Sequence, residues 1–422
     1  MDKIDILVIG GGGREHTVVK KLKQSPRCGQ IYCAPGNGGI AGDARPVNIK
    51  ATDTLLMTAF AKEHGVSLAI VTPDDPLVIG MTDALEAEGI RAFGPSRAAA
   101  QIEGSKVFSK GLMKKYGIPT AGYEVFDDPA GALEFISTQN QYPTVIKADG
   151  LALGKGVVIA QNFEEARNAI HAIMEDKVFG ASGNSVVIEE FLTGPEVSVL
   201  AFTDGKTLKP MVSSKDHKRA YDGDEGPNTG GMGTISPNPY YTDALAAECM
   251  DKIFMPTIEA MNKEDRPFKG CLYFGLMLTA NGPKVIEYNC RFGDPETQVV
   301  LPRLKTDLLD IFEAVIDERL DALDIEWDNG AAACVVAASG GYPVQYETGK
   351  KITGLADAEA MDGVTVYHAG TRLIDGDYYT AGGRVLGVTA TGETLDKALE
   401  RAYAAIGRVS FEGMHYRKDI GQ

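Results

Sequence analysis

The first hundred residues alternate short apolar runs with helical patterns, and this alternation limits the possible folds more than any other feature. Ile4–Ile9 is a compact apolar run that ends in four consecutive glycines, residues 10–13. Similar runs return at Ile31–Ala34 and Leu68–Thr72, separated by a helical pattern at Leu55–His64. Strands that alternate with helices predict a doubly wound parallel sheet, and ligands of such sheets bind at the carboxyl ends of the strands.

The four glycines follow the first strand and suit an anion. Glycine lets the backbone approach a ligand, and the next helix presents free N–H groups. The dinucleotide fingerprint Gly-x-Gly-x-x-Gly fails, because Glu15 takes its last position and no acidic residue ends the second strand. The sequence favours a phosphate monoester held by these N–H groups and Arg14, with a plain strand–helix turn as the alternative.

Composition restricts the class of partner. The 422 residues include 42 Lys+Arg against 58 Asp+Glu, a formal net charge of −16. A surface this acidic repels nucleic acid and anionic membranes, so we expect small-molecule partners, no nucleic acid and no membrane. No apolar run approaches the roughly 18 residues of a membrane span, and the first residues do not resemble a secretory signal. Six dispersed cysteines indicate reduced thiols, so we expect a cytoplasmic protein.

The length predicts about three domains. We expect them at residues 1–104, 105–326 and 327–422, the first α/β and the other two α+β. The second is predicted to hold a small sheet and a hairpin around Asn281-Gly282. The strands expected in the small sheet are Val145–Lys147, Val157–Ala160, Val186–Glu190 and Glu196–Phe202. In the third domain, strands near Ala331–Ala338, Thr365–His368 and Val385–Thr389 precede a helix with an apolar stripe.

A glycine-rich segment, residues 147–156, has a lysine near each end. It lacks the Walker pattern. Its N–H groups, with Lys147, Lys155 and the earlier Lys106, can nevertheless enclose a triphosphate. Taken alone, each lysine is more typical of a solvated surface. Glu189 and Glu196 flank a strand exit that suits an adenine edge and ribose hydroxyls, although an ordinary strand explains that segment better in isolation.

Glu287-Tyr288-Asn289 lies in an apolar run, so alternation places the carboxylate and the amide on one face of a strand. Both are hard oxygen ligands that suit Mg²⁺, which completes its shell with phosphates and water. Arg291, Asp294 and Glu296 follow directly. So many charges beside an apolar strand are costly unless a ligand or metal pairs them, and a structural salt-bridge cluster is the alternative.

Residues 215–233 form a long segment of mixed charge and many glycines. About twenty residues with little apolar content in mid-domain are typical of a functional or disordered loop. The sequence therefore predicts a loop that orders around a charged substrate.

Together these motifs resemble the glycinamide ribonucleotide synthetases, ATP-grasp ligases of purine biosynthesis. The most specific element is residues 291–298, Arg-Phe-Gly-Asp-Pro-Glu-Thr-Gln, and the similarity spans the whole chain. The resemblance implies a phosphoribosylamine-binding N-terminal domain, an ATP-grasp core with a small lid at about 123–192, and a C-terminal domain packed on that core. It also implies a monomer or small homo-oligomer that joins glycine to 5-phosphoribosylamine through glycyl phosphate.

The resemblance further implies roles for single residues. Glu287 and Asn289 would bind Mg²⁺ or Mn²⁺. ATP would be held by Lys106, Lys147, Gly154, Lys155, Glu189, Leu192 and Glu196. The other substrates would be held by Gly11, Gly12, Gly13, Arg14, Asn37, Asp74 and Lys215. The candidate catalytic residues are Asp216, Arg291 and Asp294.

Three positions depart from the family pattern. Thr72-Pro73-Asp74 stands where Gly-Pro-Glu is expected, Leu153 replaces a small residue, and Pro195 precedes Glu196. Two other functions stay open at this point: an ATP-grasp carboxylase that uses bicarbonate, and a non-catalytic nucleotide-binding module. The carboxylases have a further metal-binding glutamate on the strand that here contains Gly275–Met277, and none is present in this sequence.

Overall fold

The computed structural model describes residues 3–151 and 156–422. Its N-terminal sheet is parallel, with strand order β3-β2-β1-β4-β5. Helices cover both faces, which explains why the central strands are apolar throughout. The strands are β1 Ile4–Gly10, β2 Cys28–Pro35, β3 Arg45–Pro46, β4 Leu68–Val71 and β5 Arg91–Phe93. The helices are α1 Gly13–Leu22, α2 Thr54–Glu63, α3 Asp74–Ile79, α4 Met81–Ala87, α5 Arg97–Gly104 and α6 Lys106–Tyr116. The predicted doubly wound sheet is confirmed.

A second, antiparallel sheet has the order β6-β9-β7-β8. Its strands are β6 Tyr123–Phe126, β7 Thr144–Ala148, β8 Val157–Ala160 and β9 Val186–Glu190, and its helices are α7 Pro129–Gln139 and α8 Phe163–Ile170. These elements have an apolar core of their own, which includes Ile136, Ile146 and Ile170. We call this unit, residues 123–190, the lid.

The third sheet, with order β11-β10-β16-β17, joins the lid to the N-terminal domain. Its antiparallel strands are β10 Glu196–Asp204, β11 Leu208–Pro210, β16 Lys269–Thr279 and β17 Gly282–Asn289. The helices packed around it are α9 Asp243–Cys249, α10 Met255–Lys263, α11 Thr297–Val300 and α12 Leu308–Ile316. The hairpin predicted at Asn281-Gly282 is confirmed. The apolar core of this third sheet is continuous with both faces of the N-terminal sheet.

One assignment of a strand to a sheet was wrong. Glu196–Phe202 was expected in the small sheet, but β10 pairs with β16 over its whole length. The chain leaves the lid at Gly194, where φ is +145° and an added Cβ would lie 2.1 Å from the Leu278 carbonyl oxygen. Only glycine tolerates that conformation and approach, so the strand after it starts in a different sheet.

The C-terminal sheet has the order β12-β15-β18-β23-β20 and includes strands from the middle of the chain. The segment predicted as a loop contains β12 Lys215–Asp216, β13 Arg219–Tyr221, β14 Glu225–Asn228 and the start of β15 Gly233–Ser236. The rest of the domain comprises β18 Ala331–Ala338, β19 Lys351–Ile352, β20 Val364–His368, β21 Thr371–Ile374, β22 Asp377–Thr380, β23 Arg384–Gly392, α13 Leu355–Glu359 and α14 Leu395–Ile406. The segment was expected to be a loop that orders around a charged substrate, but much of it forms strands, because β12 pairs with β15, β13 with β14, and β15 with β18. We call residues 215–233 the polar ribbon.

Within the described ranges, no helix combines the length and the apolar character needed to cross a membrane.

Candidate active site

A cavity of about 800 Å³ lies between the lid, the third sheet and the polar ribbon. Most of the predicted site residues border it, although they come from distant parts of the chain. Those residues are Asp74, Lys106, Lys147, Glu189, Leu192, Glu196, Lys215, Asp216, Glu287, Asn289, Arg291 and Asp294. Gly154 and Lys155, with Leu153, lie outside the described residues. Gly11, Gly12, Gly13, Arg14 and Asn37 do not border the cavity.

Glu287 and Asn289 lie on one face of β17 and border the cavity, and Tyr288 between them is buried. Burial alone would raise the pKa of the Glu287 carboxyl, but Lys218, Lys147 and Lys106 lower it below its ordinary value. Lys218 Nζ lies 3.6 Å from Glu287 Oε1 and 3.3 Å from Glu196 Oε2. The carboxylate thus stays ionised, as a metal ligand must.

Two of the predicted lysines lie at the boundary between lid and body. Lys106, at the start of α6, donates from Nζ to the Gly150 carbonyl oxygen at 2.8 Å. Burial lowers the pKa of Lys106. Lys147, on lid strand β7, donates to the Ile286 carbonyl oxygen at 3.1 Å and lies 3.0 Å from Glu189 Oε2. Both ammonium groups are therefore close to β17, which bears the acid–amide pair.

The segment between lid and third sheet borders the cavity as well. Leu192 is half-buried there, and Glu196 begins β10 with its side chain toward Lys218. A strand exit with one apolar side chain and an exposed carboxylate fits a planar base and its sugar.

Arg291 is surrounded by acceptors. Its Nη2 lies 3.0 Å from Glu103 Oε1, 3.1 Å from Asn289 Oδ1 and 3.8 Å from Asp74 Oδ2. Its Nε is buried without a hydrogen-bond partner among the described residues. Burial opposes the charge of Arg291, but Glu103 and Asp74 raise its pKa, so the guanidinium stays charged. It has spare donor capacity for an anion.

Asp294 connects three parts of the molecule. Its Oδ2 accepts from the Arg14 amide at 3.3 Å, its Oδ1 accepts from Gln298 at 2.8 Å, and Arg384 Nη2 lies 3.4 Å from Oδ1. Burial would raise the pKa of Asp294, but Arg384 and Arg14 keep it low. The carboxylate thus links residues 10–13, which we call the glycine turn, to the cavity.

Asp216 and Glu296 form a carboxyl pair on the cavity wall. Burial and the neighbouring Glu296 raise the pKa of Asp216 well above its usual range, and burial raises that of Glu296. Glu296 Oε1 accepts from the Tyr273 hydroxyl at 3.1 Å. Such a pair favours a ligand that brings positive charge. Lys215, by contrast, donates to the Gln422 carbonyl oxygen at 2.8 Å and stacks 5.7 Å from the Tyr240 ring centroid.

The chain matches the family models of phosphoribosylglycinamide synthetase along nearly its whole length. The N domain matches residues 4–103, the ATP-grasp (A) domain 104–297 and the C domain 332–422. The chain belongs to the phosphoribosylglycinamide synthetase family. The resemblance and the three-domain fold inferred from sequence are thereby confirmed.

Relatives and structures of the family agree. The phosphoribosylamine–glycine ligase of Caldanaerobacter subterraneus subsp. tengcongensis is 50% identical over 98% of this chain and 99% of its own. That of Clostridium acetobutylicum is 49% identical over 99% of both chains. The crystal structure of the Thermotoga maritima ligase has a TM-score of 0.84 at 33% identity, covering 99% of this chain and 100% of its own.

The Gly12 amide has a protein partner in this structure. The amide of Gly12 was expected to hold a phosphate, but it donates to Glu15 Oε2, whose other oxygen lies 2.6 Å from Arg14 Nε and 2.7 Å from the Thr72 hydroxyl. The Arg14 amide points to Asp294. Glu15 occupies the anion position because its carboxylate reaches back to the helix start. The motif gave no indication of this, since Glu15 only counted against a dinucleotide.

Asn37 also has protein partners for its whole side chain. Its Nδ2 donates to the Gly11 and His368 carbonyl oxygens at 2.9 and 2.8 Å, and its Oδ1 accepts from the Ile40 amide at 2.9 Å. The side chain therefore fixes the loop after β2 between the glycine turn and β20. A ligand can use only the backbone of this loop.

Several residues of the site were missed by sequence reasoning, and each pairs with a residue that was found. They are Glu103, Lys110, Lys218 and Arg384. Lys110 follows Lys106 by four residues, a spacing that places both on one helix side. Arg384 had no local signal, because it is a single arginine at the start of β23, more than eighty residues from any motif that it contacts.

Proposed function

We propose that the cavity binds metal-bound ATP between Lys106 and Lys147 on one side and the acid–amide pair of β17 on the other, and that glycine is activated there. The chain catalyses the ATP-dependent ligation of glycine to phosphoribosylamine. The observation that supports the site is the position of Lys106, Lys147, Glu287 and Asn289 around one cavity. Positive charge on one side and hard oxygen ligands on the other suit a metal triphosphate.

Glu287 and Asn289 fit a divalent cation of the Mg²⁺ or Mn²⁺ type. The described residues contain no group of three or more His, Cys, Asp or Glu side chains that could hold a metal by themselves. Two oxygen ligands from one strand suit an ion that takes its other ligands from phosphates and water. When bound, the ion neutralises phosphate charge.

The chain's own residues orient the reactants. A glycine carboxylate oxygen attacks the γ-phosphorus, the bond to the β-phosphate oxygen breaks, and ADP leaves. The amine of 5-phosphoribosylamine then attacks the acyl carbon of glycyl phosphate, loses a proton, and phosphate departs. Arg291 would neutralise the carboxylate or acyl phosphate, Asp216 with Glu296 would hold an ammonium or receive a proton, and Asp294 would orient the amine. Alignment and charge neutralisation are the main contributions of a protein to such transfers.

For the ribose phosphate we propose Arg14 with the backbone of Gly11, Gly13 and the loop after β2. Asp74 supports this location, because Arg291 lies 3.8 Å from it and both Arg291 and Arg14 lower its pKa against the effect of burial. Asp74 thus lies between the glycine turn and the cavity. Lid closure would exclude water from the labile acyl phosphate.

We also propose domain boundaries near residues 104 and 326 and a lid of about 123–192. The separate apolar core of the lid supports treating it as a unit of its own. We propose a cytoplasmic location, which agrees with six free cysteines. A monomer or small homo-oligomer remains our prediction.

A coupled assay of ADP release tests the reaction. We expect ADP and glycinamide ribonucleotide only when ATP, glycine and phosphoribosylamine are all present. ADP release with bicarbonate, and none with glycine plus phosphoribosylamine, would favour the carboxylase instead. ATP binding without any product would favour a non-catalytic module.

A further inference from the structure

Lys110 is a buried cation that the proposed mechanism does not use. It lies on α6 one turn after Lys106, and its side chain is only 2% exposed. Its Nζ lies 3.0 Å from Glu189 Oε2 and donates to the Thr120 hydroxyl at 2.8 Å. A buried ammonium is costly unless it is paired, so the presence of a lysine at this position needs an explanation.

The two oxygens of Glu189 have different surroundings. Oε2 is shared by Lys110 and Lys147, each at 3.0 Å. Oε1 is shielded from solvent and has no hydrogen-bond partner among the described residues. Buried polar atoms of this kind are rare and need an explanation. Because Glu189 borders the cavity, a ligand can supply the missing donor.

The two lysines differ in what anchors them. Lys147 lies on β7, which pairs with β9, so it belongs to the same sheet as Glu189. Lys110 belongs to the body: the Thr120 hydroxyl that it contacts donates to the Val285 carbonyl oxygen of β17 at 2.7 Å. Lys110 therefore links a lid carboxylate to the strand that bears Glu287 and Asn289.

We propose that Lys110 is a positioning residue for the nucleotide: it holds Glu189 Oε2 against the body and so presents Oε1 to the cavity as an acceptor for an N–H or O–H group of the nucleotide. This inference rests on the proposed binding of ATP in the cavity. Lys110 itself touches no substrate. It acts through Glu189, and through its contact with Thr120, which is bonded to β17.

The test measures binding of Mg-ADP by calorimetry and the KM for ATP. The variants are Lys110→Met, Glu189→Gln and the double variant that combines them. We expect Lys110→Met to weaken ADP binding and raise the KM about tenfold, with kcat changed much less, because a charge-assisted contact is lost before the chemical steps. Glu189→Gln should have at least the same effect, and the double variant no more than Glu189→Gln alone.

Lys114→Met is the matched control. Lys114 is an exposed lysine one turn further along α6, and its Nζ lies 5.5 Å from the Tyr123 ring centroid, close to the 5.7 Å of Lys110. Its replacement should leave ADP binding unchanged. Where Lys110→Met does not fold, Thr120→Val replaces it, since this change removes the anchor and keeps the ammonium, and about threefold weaker binding is expected.

Wild-type ADP affinity in Lys110→Met (or in Thr120→Val, where that variant replaces it), or losses that multiply in the double variant, would overturn the inference. Product formation by the wild type is scored separately. No glycinamide ribonucleotide from the wild type refutes the proposed function, whereas normal product together with unchanged ADP binding in the variant refutes only the role of Lys110.

Discussion

The cavity and the glycine turn both gather charges and backbone amides, yet their hydrogen-bonding states are opposite. In the cavity, Glu189 Oε1 and Arg291 Nε are buried without partners among the described residues. At the turn, the Gly12 and Arg14 amides already donate to Glu15 and Asp294. Since an unpaired buried polar group is costly, these two atoms of the cavity are available to a ligand.

The comparison teaches that the protein itself can use an amide of a glycine-rich turn, as Glu15 uses that of Gly12. The turn uses its amides to fix α1 against β4 and the loop of Asp294. In the cavity most charged groups are paired as well, but Glu189 Oε1 and Arg291 Nε keep free hydrogen-bonding capacity among the described residues. Variants of Glu287 in the cavity should therefore lose activity, whereas variants of Glu15, which holds the turn together, should lose stability first.

The largest effect is expected from Glu287→Ala in the cavity. Loss of this ligand removes much of the charge neutralisation on the triphosphate, so turnover should fall by about 1,000-fold or more. Thermal unfolding should stay close to wild type. Glu124→Ala, which removes an exposed carboxylate of β6 that does not border the cavity, is the control for ADP release. Near-normal turnover in Glu287→Ala would refute the metal role.

Arg384→Ala should have the next largest effect. Arg384 donates to the Gly230 and Asp294 carbonyl oxygens at 2.6 and 2.7 Å, so its loss frees Asp294 and the polar ribbon together. We expect kcat/KM for glycine and phosphoribosylamine to fall about 100-fold with little change in the KM for ATP. Arg372→Ala, on exposed β21, is the control. An equal loss for all three substrates would contradict this assignment.

Glu15→Gln tests the turn. The glutamine keeps the shape but cannot accept from Gly12, Arg14 and Thr72 at once, so the free energy of unfolding should fall by about 2 kcal/mol. Urea denaturation measures this, with exposed Glu63→Gln as the reference. Binding of Mg-ADP should be unchanged. Wild-type stability would mean that the turn is not held by Glu15.

The smallest effect concerns the polar ribbon, through His217. Burial lowers the pKa of His217 to about 4, from an ordinary 6.5. Its Nδ1 lies 3.2 Å from the Gly233 carbonyl oxygen, and its Nε2 accepts from the Gly421 amide at 3.1 Å, an arrangement of the neutral ring. Below pH 6.5 the unfolded chain binds a proton that the folded state does not, so stability falls as pH decreases toward 4.

Between pH 7.5 and pH 6 this proton should reduce the free energy of unfolding by about 0.8 kcal/mol. His217→Gln should remove that part of the pH dependence in urea titrations, whereas exposed His171→Gln should keep it. An unchanged pH dependence in His217→Gln would contradict a neutral His217.

Sequence alone determined the elements whose signal is local. Period-two alternation placed Glu287 and Asn289 on one face of β17, and unbroken apolar runs identified three of the five parallel strands, β1, β2 and β4. Residues 291–298 and the segments that agree with them identified the family. These features depend on neighbours a few residues apart, so they can be predicted from the sequence alone.

Tertiary structure decided which groups meet. Nothing local indicated that Gly194 would direct β10 into another sheet, that β15 would join the C-terminal domain, or that Arg384 would reach Asp294. It also decided that Glu15 would accept a hydrogen bond from the Gly12 amide and that Lys110 would pair with Glu189. The physical reason is that a polar group binds whichever partner the packed chain brings within about 3 Å, and long-range packing selects that partner.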